Sequence, residues 1–227
     1  MAPQNTAGLI RLGILALPLG ALSGFIGNLG GLSTPDPGDD PTGAAQAAST
    51  TGYFLTQFLG NVLGPTLAIF GIIALSAYLI NTRVGRLASL AMVITIVGFA
   101  LLLSFLGVIT YAIPALAQAY LNGQPSALQM TDALFSGQLF AIVIVSGLLQ
   151  FIGFALFGIA IWRSETLPKW AGVILAVAGL LLGFPINVPF ISLLGTVLAV
   201  IAGGWIALAV WRRPLAPEGV EAQPRVR

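Results

Sequence analysis

Cysteine and histidine are absent from this 227-residue chain, and lysine occurs once, at Lys169. Without Cys there are no disulfides, thiolate nucleophiles or Fe–S ligands. Without His the usual imidazole ligands of haem, copper and zinc are gone too. Nucleophilic and general acid–base catalysis lose their commonest base. Charge is scarce: 7% of residues are Asp, Glu, Lys or Arg, against roughly 25% in a soluble chain. A hydrophobic content of 57% and a mean hydropathy of +0.99 place the chain in a membrane. The net charge of +2 rests on a few Arg residues at segment borders, so no nucleic-acid partner is expected.

What is present is apolar and long. A spanning helix needs about 20 mainly apolar residues, and segments at about 9–31, 54–80, 87–113, 138–162, 167–185 and 190–211 meet that need. No Asp, Glu or His falls within them, and Arg11 and Lys169 stand at borders. The first segment exceeds the roughly 7–15 apolar residues of a signal peptide and lacks a nearby small-x-small cleavage site, so a retained helix is expected. The expected fold is all-α: one membrane domain over 1–227, a polytopic bundle of six transmembrane helices, with 214–227 a flexible tail.

The connections alternate in charge. Residues 81–86 and 163–169 are short and basic, and the tail opens with Arg212 and Arg213. Residues 32–53 and 114–137 carry Asp36, Asp39, Asp40 and Asp132 but no Lys or Arg. The positive-inside rule then places both termini in the cytoplasm. Arg11, Arg83, Arg86, Arg163, Lys169 and Arg212 are the candidate contacts to anionic headgroups, making the bilayer itself a partner. Trp162, Trp170 and Trp211 adjoin these cations and read as an interfacial belt rather than a choline cage, with Tyr53, Tyr111 and Tyr120 at the opposite face.

Residues 33–52 read as a flexible polar loop. Their three Asp residues read as a solvated turn, because a Ca²⁺ site needs six to eight placed oxygens; no metal is expected. Between Pro114 and Ser136 the chain has helical character. Ser126 and Gln129 fit a capping box, and Leu128, Ala133, Leu134 and Phe135 form an apolar side. This piece is expected along the outer surface or capping the bundle. Thr166 and Pro168 mark a helix start, and Pro185 and Pro189 bracket a tight outer turn.

Small residues recur every four positions: Ala16, Gly20, Gly24 and Asn28; Gly60, Gly64 and Ala68; Gly179 and Gly183; Gly195, Ala199, Gly203 and Ala207. Helices in lipid associate through such ridges. A loose recurrence of interface residue and glycine in the first, third and fifth segments suggests three similar hairpins, short of a repeat.

Polar groups at membrane depth are few: Asn28, Gln57, Asn61, Thr66, Ser76, Thr95, Ser104, Ser146, Gln150, Ser192 and Thr196. The amides Gln57, Asn61, Gln150 and Asn28 are the candidate ligand-binding residues; the alternative is interhelical hydrogen bonding that sets register. Glu165 is the sole carboxylate of the basic connections, and no catalytic residue or cofactor is expected.

The run from Gly158 through Trp162, Arg163, Ser164, Leu167, Pro168, Lys169, Gly172 and Gly179 resembles a pattern in a family of small six-helix bacterial membrane proteins classed as a domain of unknown function. The resemblance covers about a quarter of the chain, and residues 1–60 depart from it. It implies a bacterial origin, a cytoplasmic-membrane location and a six-helix fold, but no activity. Two functions are expected from these readings. The first is a non-enzymatic accessory or structural subunit working with other membrane subunits. The second is a facilitator or binding protein for a small neutral or amphipathic solute.

Overall fold

The computed structural model describes residues 4–32, 38–134, 137–183 and 189–212. Among them there is no strand. The helices are α1 (Gln4–Leu32), α2 (Pro41–Ala48), α3 (Thr51–Gln57), a π-helical segment (Phe58–Leu63), α4 (Gly64–Leu79), α5 (Gly85–Leu121), α6 (Ser126–Leu134), α7 (Gly137–Ser164), α8 (Lys169–Gly183) and α9 (Pro189–Arg212). Segment α3, the π turn and α4 form one continuous helix, Thr51–Leu79.

Five helices are long and apolar enough to cross a membrane: Gly8–Gly30, Thr51–Leu79, Gly85–Leu121, Leu139–Ser164 and Phe190–Arg212. This fits a multi-pass membrane protein. Of the expected segment 167–185, the described part is α8, which starts at Lys169 and has 15 residues, about 22 Å against about 30 Å of hydrocarbon; residues 184 and 185 lie outside the described residues. The start of α8 is set by the chain reversal at Glu165, where φ is 56°, and by Pro168, which has no N–H to extend the helix further back. The turn expected between Pro185 and Pro189 and the tail 214–227 lie outside the described residues.

Glycine contacts define how the helices run. Along α1, Gly13 meets Ala74, Gly20 meets Gly64 and Ala68, and Gly27 meets Gly60, so α1 and the second long helix are antiparallel. Gly98 abuts Gln150, which pairs α5 with α7 in the same sense. Gly158 with Gly172, and Phe154 with Gly179, do so for α7 and α8. Gly203 against Leu17 and Pro18, with Thr196 near Gly24, sets α9 antiparallel to α1. The neighbours α1, α4, α5, α7, α8 and α9 therefore close a ring, in which α4 and α5 touch over the shortest stretch. Outside, each helix shows large apolar residues: Leu12, Leu19, Leu22 and Ile26 on α1, and Leu194, Ile201 and Leu208 on α9, are all exposed. Glycines at the helix contacts and leucines facing outward are the pattern expected where lipid is the solvent.

Two further differences share one cause. The third span was expected to end at 113, with a polar loop at 33–52. Instead α5 continues through Pro114 to Leu121, 37 residues in all, or about 55 Å. Pro114 forfeits only the bond to the Thr110 carbonyl, which a long helix tolerates. The protruding end offers Ile113, Ala117 and Tyr120, and Ala45 and Ala48 of α2 bury against them with Tyr53. Asp40 caps α2, its carboxylate accepting from the Gly43 N–H at 2.8 Å, and Pro41 supplies the first helical residue. So 41–48 folds because a partner surface exists that local composition does not reveal. At α6, Ala127 is buried and Ala133 is exposed; Phe135 and Ser136 lie outside the described residues.

At the basic end, Arg83 ties two connections together. Its Nε donates to the Arg163 carbonyl at 2.6 Å, and its Nη2 meets the Glu165 carboxylate at 2.7 Å. Trp162 and Trp170 pack edge to face, and Lys169 Nζ lies 5.7 Å from the Trp162 ring centre. Arg86, Arg163 and Arg212 are exposed, while Arg11 is half-buried where the Trp211 Nε1–H donates to its carbonyl at 3.3 Å.

Candidate functional site

Five of the membrane-depth hydroxyls donate within their own helices. Thr66 donates to the Val62 carbonyl, Thr95 to Ala91, Ser104 to Leu101, Ser146 to Val143 and Thr196 to Ser192 and Leu193, at 2.7–3.1 Å. Each bond stays within its own helix, so these donors do not bridge helices.

The amides behave differently. Gly60, Gly64 and Pro65 weaken one stretch of the second long helix, since Pro65 has no N–H for the Asn61 carbonyl. The chain relaxes there into the π turn Phe58–Leu63, a form frequent at functional sites. A hydroxyl from α1 takes one exposed carbonyl, Ser23 donating to Leu59 O at 2.5 Å. Gly27 and Gly60 meet backbone to backbone; a Cβ built at Gly27 would lie 2.5 Å from Gly60 Cα. That approach brings α1 against the π turn.

A cavity of about 180 Å³ lies at the centre of the ring. All six ring helices line it. Its polar groups are Asn28, Asn61, Gln150 and Thr196, and its walls include Phe99, Leu106, Phe154, Leu175 and Leu182. Three of the four candidate amides thus share one space. Gln57 does not line it: it sits one turn further toward the acidic end, accepting from Asn61 Nδ2 at 2.6 Å and hydrogen bonding with the Tyr53 side chain. Gln150 is 4% exposed, and its side chain has no hydrogen bond to another described residue. Gly98 makes its position possible, because a Cβ there would lie 3.0 Å from both the backbone nitrogen and Cγ of Gln150. Phe99 and Phe154 form the floor, edge to face at 6.0 Å.

The glycines singled out for packing are distributed around this space. Gly20, Gly24, Gly60, Gly64 and Gly203 line the cavity. Gly179 lies on Phe154, Gly183 on Gly147, and Gly195 on Leu182. Thr196 and the phenylalanine floor escaped the sequence reading; only a hydroxyl at membrane depth hinted at the first, and nothing local marked the second.

Among the described residues the cavity lining holds no Asp, Glu, Lys or Arg, and no group of three or more His, Cys, Asp or Glu that could hold a metal occurs. The space is suited to an uncharged guest, since a charge without a partner there would face several kcal/mol of desolvation. No family model, curated protein or solved structure matches the chain. Function is read from the site alone.

Proposed function

We propose that this is a non-enzymatic protein of the bacterial cytoplasmic membrane that binds a small neutral or amphipathic solute in its central cavity. The observation that carries the reading is the convergence of Asn28, Asn61 and the buried Gln150 on one apolar space. An amide without a partner in hydrocarbon is costly, and a guest that pairs with Gln150 removes that cost. In this reading the chain crosses the bilayer six times, with the basic end and both termini cytoplasmic. The antiparallel placement of α8 between α7 and α9 supports it, as does the clustering of Arg83, Arg86, Arg163, Lys169 and Arg212 at one end, facing anionic headgroups. Membership of the six-helix bacterial family suggested by Arg163, Ser164, Leu167, Pro168 and Lys169 belongs to the same reading. Binding of small neutral solutes to the protein in proteoliposomes tests it. Asn61→Leu and Gln150→Leu are expected to weaken binding, and unaltered binding in both variants would refute the proposal.

A second reading, an accessory subunit of a larger membrane assembly, draws support from α8. Its outward Trp170, Val177 and Leu180 are exposed, an apolar face that another membrane subunit would cover through helix packing. Extraction in mild detergent decides: a stoichiometric complex favours this role, and a lone monomer refutes it.

A further inference from the structure

The cavity is asymmetric along the bundle axis. Its polar residues Asn28, Asn61 and Thr196 lie toward the end that carries Asp39 and Asp40, and there Asn28 and Asn61 are only half-buried. Toward the basic end the interior is solid. Ile14, Ile72, Leu75, Leu79, Phe157 and Ile206 are fully buried in one continuous cluster beneath Phe99 and Phe154. A facilitator needs a path on both sides of its site, and side chains packed at crystal density leave none.

We propose that the cavity is a dead-end binding site, reached from the acidic end and closed to the basic end, for an uncharged molecule with a benzene-sized apolar body and one head group that both donates and accepts a hydrogen bond. The inference rests on the solute-binding reading and deepens it. Size follows from volume: a cavity of roughly 150 Å³ holds one benzene molecule, and this one is about 180 Å³. Head chemistry follows from Gln150, whose amide supplies an acceptor oxygen and two donor hydrogens in a space without charged side chains. The body would rest on Phe99 and Phe154, in the offset or edge-to-face geometry that aromatic rings prefer.

The chain's lack of cysteine makes the test direct. Thr196→Cys places one thiol in the cavity wall, and Leu75→Cys places one in the apolar plug. A small membrane-impermeant thiol reagent is added to either face of sealed vesicles, with and without benzamide. The expected result is modification of Thr196→Cys from the acidic face only, no modification of Leu75→Cys from either face, and slowing of the first reaction by benzamide. Benzoate and benzylammonium, which are charged, are expected not to slow it. With Gln150→Leu added, the benzamide concentration needed for protection should rise about tenfold, the effect of losing one good hydrogen bond. Protection by toluene should persist in that variant, which shows that the cavity still forms.

Modification of either thiol from the basic face, or of Thr196→Cys from neither face, would overturn the dead end while benzamide protection left the solute-binding reading standing. Equal protection by benzamide with and without Gln150 would overturn the head-group assignment. Failure of both benzamide and toluene to protect would overturn the binding site together with the reading beneath it.

Discussion

Gly203 and Gly204 are adjacent on α9, and their replacement by Ala should have opposite consequences. A Cβ at Gly203 would lie 2.9 Å from the Pro18 nitrogen and 3.2 Å from Leu17, whereas one at Gly204 meets nothing within 4 Å. In both positions Ala removes backbone freedom from the unfolded chain, worth roughly 0.5–1 kcal/mol in a helix interior. That gain is common to the two variants and cancels between them. The difference is steric. The obstructing atoms at Gly203 are backbone, so no rotamer change relieves them and α1 and α9 must separate, at an overpacking cost of about 1–3 kcal/mol. Gly204→Ala should therefore be neutral or slightly stabilised, and Gly203→Ala should fall below it by about 1–3 kcal/mol. For a chain of this size each kcal/mol moves the midpoint by about 2–4 °C. Thermal unfolding of both variants in nanodiscs, side by side, measures the gap. Equal midpoints, or a more stable Gly203→Ala, would refute the assignment of the α1–α9 contact.

Gly60→Ala should be more harmful still, because its Cβ would strike Gly27 backbone directly; the same unfolding assay should place it below Gly203→Ala. Asp40→Ala removes the α2 cap and should cost about 1 kcal/mol locally, seen as faster amide exchange over 41–48 with little change in the global midpoint. Arg83→Ala breaks an ion pair whose side chains are 61% and 65% exposed, so stability should drop by less than about 1 kcal/mol. A larger loss would mean that the bond to the Arg163 carbonyl matters more than the ion pair.

The helical class and the long apolar helices were legible in the sequence, because length and hydropathy are local properties. The extent of α5 was not, since Pro114, with Gln118, Asn122 and Gln124 beyond it, looks like an exit from the membrane. Only the docking of Ala45 and Ala48 against Ala117 explains why the helix persists. The start of α8 hid for a related reason: Leu167 adjoins its apolar run, while Glu165 in a left-handed conformation and Pro168 decide where the helix starts. Asn28, Asn61 and Gln150 could be picked out as amides at membrane depth. Their meeting depends on ring closure, which brings together residues 33 to 122 positions apart and leaves no periodic trace. Gln57 and Asn61 share a helix face, as their spacing indicates, yet only Asn61 reaches the cavity because the π turn begins between them.

The contact between α1 and α9 also bears on how the protein is made. Trp211 and Arg11, joined by a hydrogen bond, are 200 residues apart, and the cavity wall formed by Thr196 and Gly203 arrives with α9. During synthesis the earlier helices must wait in the membrane as an open arc, with Leu17, Pro18 and Gly24 facing lipid where α9 will later pack. Long-range closure of this kind is slow, so any insertion chaperone that shields the open side of the arc would act on α1, and would leave when α9 arrives.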